Sequence, residues 1–351
     1  MDRDFLGHEG SRHARLLFVA AVAVLLAVPV AAAPKQRGIN FACAFARDRD
    51  IRYGSAASLE SLRNARKLGV DAISIMPFGF QSATPHVRMG GYETDESLAA
   101  ATRQAHSLGM KVLLKPHVWI RDEAAMTRFD AADWQSWFAD YEQFITHYAT
   151  LARDNKMDAL SIGNELKHAT RGHEREWRRI IARVRAIYRG PLTYGANFDE
   201  VFDVPFWDAL DWIGVSAYFP LVDAPMPSRA ALVAAWKPIV ARLGALSARA
   251  KRPVVITEFG YRSADGAAWR QWEIPRNART NDEAQRVAYE AFFEAVWPQP
   301  FIAGAYAWKW FSAPAYREHG DNEYEFENKP AAAVLRRAYT STTASSSSSR
   351  R

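Results

Sequence analysis

Two glutamates each stand where a short apolar run stops. Glu165 closes Ile162-Gly163-Asn164-Glu165, and Glu258 lies in Ile256-Thr257-Glu258-Phe259-Gly260-Tyr261. Two carboxyl groups facing each other across a cleft are what cleavage of a glycosidic bond requires. One donates a proton to the leaving oxygen, while the other attacks the anomeric carbon from about 5–5.5 Å or activates a water from about 6.5–9.5 Å. The pair must carry different charges at one pH. A carboxylate beside a partly buried carboxyl supplies that difference, because the second group ionises reluctantly next to the first. Other run ends carry polar or aromatic residues too: Lys115-Pro116-His117-Val118-Trp119, Val215-Ser216-Ala217-Tyr218-Phe219-Pro220 and Trp308-Lys309-Trp310. Taken singly, each has an ordinary structural reading. A glutamate after a strand serves as a first-turn acid or ion-pair partner, Asn164 as a helix cap, His117 as a hydrogen-bonded structural residue, and Trp308 or Trp310 as core. Their joint placement at run ends is what points to chemistry.

Competing chemistries are excluded by motif. Neither GxxxxGK[ST] nor GxGxxG occurs, so phosphate cradles and dinucleotide fingerprints are absent. Gly214-Val215-Ser216-Ala217-Tyr218 departs from a nucleophile elbow at its last position, which should be glycine. His173-Glu174 opens like a zincin helix, yet Trp177 stands where the second histidine belongs. The single cysteine, Cys43, rules out an intramolecular disulfide framework and a cysteine-built zinc site. The net charge of +6 is modest and scattered, which argues against a nucleic-acid partner.

The elements that must position these groups alternate between strand and helix. Eight β-like runs are predicted: Gly38–Phe41, Asp71–Met76, Lys111–Val118, Ala159–Gly163, Leu192–Ala196, Trp212–Ala217, Pro253–Thr257 and Ile302–Trp310. Most are near-continuous apolar runs, as expected of parallel strands covered on both faces. Helical stripes separate them, the clearest being Trp134, Trp137, Phe138, Tyr141, Phe144, Ile145, Tyr148 and Leu151. Gly69 and Gly109 follow helix ends as left-handed caps would. Val204–Leu210, between the fifth and sixth runs, is short and poorly helical. Eight such units over about 300 residues predict a single-domain (β/α)₈ barrel over residues 34–339, with a doubly wound sheet as the second choice. Barrel enzymes build their sites at the C-terminal strand ends, which is where the polar residues above fall.

The ends of the chain read differently. Arg12 and Arg15 precede the uncharged apolar run Leu16–Ala33, and Val30-Ala31-Ala32 offers small residues ahead of Ala33-Pro34. Residues 1–33 are therefore expected to be a secretory signal peptide or, since about 18 apolar residues just span a bilayer, an uncleaved anchor. Either way the remainder is expected outside the cytoplasm, periplasmic or extracellular, with any membrane contact confined to residues 16–33. The Ser/Thr-rich segment 340–351 is expected to be disordered.

With those residues in place, the chain resembles the clan A retaining glycoside hydrolases and, more narrowly, glycoside hydrolase family 113, a family associated with β-1,4-mannan hydrolysis. The resemblance rests on Gly38-Ile39-Asn40-Phe41, Val112-Leu113-Leu114-Lys115-Pro116-His117, Gly163-Asn164-Glu165, the run Trp212–Pro220, Ile256–Tyr261, Trp308-Lys309-Trp310-Phe311 and Phe326-Glu327-Asn328-Lys329-Pro330-Ala331. It implies Glu165 as general acid/base and Glu258 as the nucleophile of a double displacement. Asn164 would hydrogen-bond the sugar 2-hydroxyl, Tyr218 would hold Glu258 in line, and His117 would line the sugar subsite. Trp308 and Trp310 share strand parity, so both are expected to face the cleft, one of them as the platform beneath the sugar. Trp119 and Asn197 are further candidate contacts. The mechanism needs no metal or other cofactor, and the sequence offers no evident metal site.

The resemblance implies an endo-β-1,4-mannanase acting on polysaccharide or oligosaccharide, and the protein is expected to be a monomer. Another retaining hydrolase of a β-linked polysaccharide, such as an exopolysaccharide or β-glucan, and a non-catalytic carbohydrate-binding barrel are the alternatives. The loops Gln81–Tyr92 and Arg262–Asn281 either line or block the open cleft that endo action needs.

Overall fold

The computed structural model describes residues 34–45 and 48–341. The expected signal peptide or anchor and the tail beyond 341 lie outside the described residues. The last helix runs through Thr340, one residue into the segment expected to be tail.

Eight parallel strands close a barrel. In chain order they are β1 (Gln36–Ala42), β2 (Ala72–Ile75), β5 (Lys111–Leu114), β7 (Ala159–Asn164), β8 (Leu192–Asn197), β9 (Ile213–Ser216), β10 (Val254–Phe259) and β11 (Ile302–Phe311), with β11 pairing back to β1. Three short strands, β3 (Phe78–Gln81), β4 (Arg88–Met89) and β6 (His117–Ile120), form a side sheet in the order β4-β3-β6. The barrel strands are nearly all buried, as strands covered on both faces must be.

The helices are α1 (Ala56–Lys67), α2 (Asp95–Ser107), α3 (Glu123–Met126), α4 (Ala131–Asp154), α5 (Lys167–Thr170), α6 (Glu174–Ile187), α7 (Arg229–Ala250), α8 (Asp282–Ala295) and α9 (Pro330–Thr340). Their starts follow capping chemistry. Ser55, Thr94, Ser228 and Asn281 each accept a first-turn amide, and Asp130 with Asp133 makes a reciprocal capping box on α4. After α1 and α2 the chain turns through Gly69 and Gly109 at φ +85° and +67°, the left-handed exits expected from the sequence. The aromatic stripe of α4 is buried, with Trp137 and Tyr141 stacked at 4.7 Å. Between β8 and β9 stands a single 3₁₀ turn, Trp207–Ala209, in place of a full helix.

One expected strand is two. The run Lys111–Val118 breaks at Lys115-Pro116: β5 stays in the barrel, and β6 leaves it to pair with β3. Pro116 has no N–H for the ladder and restrains the residue before it. The Lys115 amide still bonds Ile75 O at 2.9 Å, but the next donor, His117, bonds Pro77 O outside the barrel ladder. The loop expected over Gln81–Tyr92 is in part structured as well. It contains β4, and Gln81 is buried with its side-chain oxygen accepting the Trp137 indole N–H at 2.7 Å.

Candidate active site

Glu258 sits at the end of β10 with 5% of its side chain exposed. Burial by itself would push its pKa up. The Lys115 ammonium, completely buried, reaches across the barrel to Oε1, and His117 Nε2 stands 3.6 Å from the same oxygen. The charge of Lys115, with the imidazole close by, outweighs burial and holds Glu258 below the ordinary carboxylate range. The Tyr218 hydroxyl, just past β9, donates to Oε2 at 2.8 Å, so both oxygens are held. Burial in turn pushes the His117 imidazole below its usual value.

Glu165 follows β7 in a left-handed conformation at φ +55°, unusual for a residue with a side chain. Its amide donates to Gly195 O at 2.8 Å, and the next amide, Leu166 N, donates to the Tyr194 hydroxyl at 2.7 Å. That hydroxyl donates in turn to Glu200 Oε1 at 3.0 Å, which also accepts the Asn197 amide at 3.0 Å. The strained turn is thus clamped from β8. Burial first, and the negative charge of Glu258 second, push the Glu165 pKa well above the carboxylate range, while the nearby Ser216 hydroxyl and the charge of Lys115 oppose them in part. The two glutamates are therefore driven in opposite directions by one environment.

Asn164 is 3% exposed, and neither its amide nitrogen nor its carbonyl oxygen has a partner within the protein. A buried amide with all its bonding capacity free is a binding group in waiting. Space for it comes from its pairing partner Gly195, where a Cβ would lie 2.2 Å from Asn164 Oδ1.

The tryptophans separate. Trp308 is half-buried, with the Lys115 ammonium 5.7 Å from its ring centre. Trp310 does not face the cleft. It is 3% exposed, its indole N–H donates to Ser61 Oγ on α1 at 2.8 Å, and it packs on Phe326 at 5.4 Å. The parity expectation fails because the β1–β11 register shifts between Ile39 and Phe41, opposite Ala307 and Trp310, and an extra residue in a strand resets its alternation. Asn197 ends β8 with its side-chain oxygen accepting the Phe198 amide at 2.9 Å. Trp119, 64% exposed, lies on the side sheet. Lys115 is a site residue beyond those expected from the sequence. Its signal was available: a lone cation closing the run Val112-Leu113-Leu114, ahead of a proline. Among the described residues no cluster of metal-ligating side chains occurs.

Comparison with known proteins bears on the fold and the family. A solved structure of the GH113 β-mannanase AaManA from Alicyclobacillus acidocaldarius, in complex with ManMIm, is 28% identical over 87% of this chain and 97% of its own, with a TM-score of 0.74. A GH113 β-1,4-mannanase solved as a complex is 26% identical over 88% of this chain and 100% of its own, with a TM-score of 0.75. A β-glucuronidase from Ruminococcus gnavus, 14% identical over 87% of this chain and 50% of its own at a TM-score of 0.60, shares the fold. A search of curated proteins returned no match. The family model described as Glycoside Hydrolase Family 113 matches residues 43–329, and the chain, a glycoside hydrolase, belongs to that family.

Proposed function

We propose that the protein is an endo-β-1,4-mannanase that works by retaining double displacement, with Glu258 as nucleophile and Glu165 as acid/base. The observation that carries this reading is the opposite displacement of the two carboxyls, Glu258 toward the ionised form and Glu165 toward the protonated one. The substrate follows the two solved β-mannanases to which the chain is similar over nearly all of their length.

In the first step a Glu258 oxygen bonds to the anomeric carbon, the bond from that carbon to the leaving oxygen breaks, and the Glu165 proton passes to the leaving oxygen. Esterification removes the negative charge of Glu258, which is one of the causes keeping Glu165 protonated. The acid pKa then falls, and Glu165 becomes the base that the second step needs. Water attacks the anomeric carbon, its proton passes to Glu165, and the ester bond to Glu258 breaks. Asn164 offers its free amide to the sugar 2-hydroxyl, and Trp308 and His117 flank the ring. An export segment at 1–33 would deliver the enzyme to a polymer too large to enter a cell.

The test is product analysis of the protein on β-mannan, β-glucan, xylan and exopolysaccharides, with Glu258→Gln alongside and the first-formed anomer followed by proton NMR. Manno-oligosaccharides of β configuration from wild type alone are the expected result. The α anomer would exclude double displacement, and cleavage of a different polymer would move the substrate.

A further inference from the structure

The side sheet has two unlike faces. Its back packs against α4: a Cβ at Gly79 would meet Phe144 at 2.7 Å, Val118 is buried, and Gln81 holds the Trp137 indole. Its front carries the alternate residues, since successive side chains in a strand point to opposite faces. There Phe78 pairs with His117, their rings 5.5 Å apart, and the next pair in register is Phe80 with Trp119.

This front face begins at the catalytic carboxylate and ends in solvent. His117 stands 3.6 Å from Glu258, and Phe78 packs on the same cluster of Ala42, Met76 and Phe311 as Trp308 does. Two residues further along, a step of about 6.6 Å, Phe80 and Trp119 are 45% and 64% exposed. Gly90 on the neighbouring segment carries no side chain; a Cβ there would crowd the Phe80 ring at 3.2 Å.

We propose that Phe80 and Trp119 form a platform for sugar units of the polysaccharide beyond the unit held at the two glutamates. This rests on the β-mannanase reading above. Large aromatic rings carry an electron-rich face, and the C–H faces of pyranose rings stack on such surfaces. Scattered single hydrophobic residues on a surface need no explanation, but two adjacent rings in register with the histidine beside Glu258 form a path. A polymer leaving the cleft along this wall covers both.

The experiment compares Phe80→Ala, Trp119→Ala and the double variant with wild type on long β-mannan and on an aryl mannoside that holds a single sugar. Loss of the platform should lower kcat/KM for the polymer, relative to the aryl mannoside, by about tenfold in the double variant, mostly through KM. Phe80→Tyr and Trp119→Phe should keep most of the wild-type ratio, because each retains a ring. A double variant whose ratio matches wild type overturns the platform and leaves the enzyme's activity standing. A wild type that cleaves the aryl mannoside but no mannan overturns the substrate reading, and the platform with it.

Discussion

Lys115 at the end of β5 and Glu258 at the end of β10 form an ion pair across the barrel, with 0% and 5% of their side chains exposed. Their strands are the third and seventh of the eight that close the barrel, so the pair bridges opposite walls. A buried cation so placed contributes little net stability, because desolvation offsets much of the attraction. Its effect on Glu258 is larger: it keeps the carboxylate ionised in a site where burial alone would protonate it.

Lys115→Met should therefore act on the pH profile. Removal of the cation raises the Glu258 pKa, so the acid limb of kcat/KM should move to higher pH by about 1–3 units, the range an adjacent opposite charge shifts a carboxyl. A pH–rate profile on an aryl mannoside measures this directly. An unmoved acid limb with a uniformly lower rate would mean that Lys115 acts only in folding.

The raised pKa of Glu165 sets the basic limb. The protonated acid is needed for the first step, so kcat/KM should fall as pH rises through that elevated value, above where an ordinary carboxyl titrates. Glu165→Ala should abolish this limb on an activated aryl mannoside, whose leaving group needs no proton. Turnover should stall at the glycosyl-enzyme and be rescued by azide, with β-mannosyl azide as the product. Absence of rescue would reverse or refute the assignment of the two glutamates.

The Tyr194 hydroxyl links the Glu165 turn to Glu200. Tyr194→Phe keeps the packing and leaves the Leu166 amide without its partner, a loss of about 1–3 kcal/mol for a buried unsatisfied group. If the clamp holds the acid in line, kcat should fall by about tenfold or more with KM nearly unchanged, since small misplacements of an acting group are costly. A lower Tm with kcat unaltered would assign Tyr194 to the fold alone.

The barrel and both carboxyls were legible because long Val/Ile/Leu runs end abruptly in polar residues, and the topology puts all those ends on one rim. Three features were not. The side sheet is built from pieces of two to four residues, Phe78–Gln81, Arg88–Met89 and His117–Ile120, too short for any period to stand out. Lys115 sat inside what read as a continuous strand, and only the break at Pro116 shows it as a strand end. Strand parity alone puts Trp310 in the cleft, which a register shift in the β1–β11 pairing defeats.

That last difference separates two neighbouring tryptophans by experiment. Trp310→Ala removes a ring buried against Phe326 and its bond to Ser61, and should cost about 3–5 kcal/mol of stability. Trp308→Ala, at a half-buried ring beside Lys115, should leave Tm closer to wild type and weaken catalysis. Thermal unfolding and kcat/KM on both variants give the comparison; equal losses of stability would place both rings in the core.

Gly195 supplies the most specific test of the site. It pairs with Asn164, and a methyl group there would fall 2.2 Å from Asn164 Oδ1, well inside contact distance. The Gly195→Ala side chain must push the amide away or shift β7 against β8. If Asn164 bonds the sugar 2-hydroxyl, wild type should prefer a mannoside over its 2-deoxy analogue, beyond the intrinsic reactivity difference, by a factor that Gly195→Ala largely removes. Loss of one bond to the transition state corresponds to about 10²–10³ in kcat where the group acts on developing charge. Activity on the 2-deoxy substrate should fall far less, because it makes no such bond. Equal losses on both substrates would mean that the methyl group disturbs Glu165, whose amide bonds Gly195 O, and that Asn164 does not read the 2-hydroxyl.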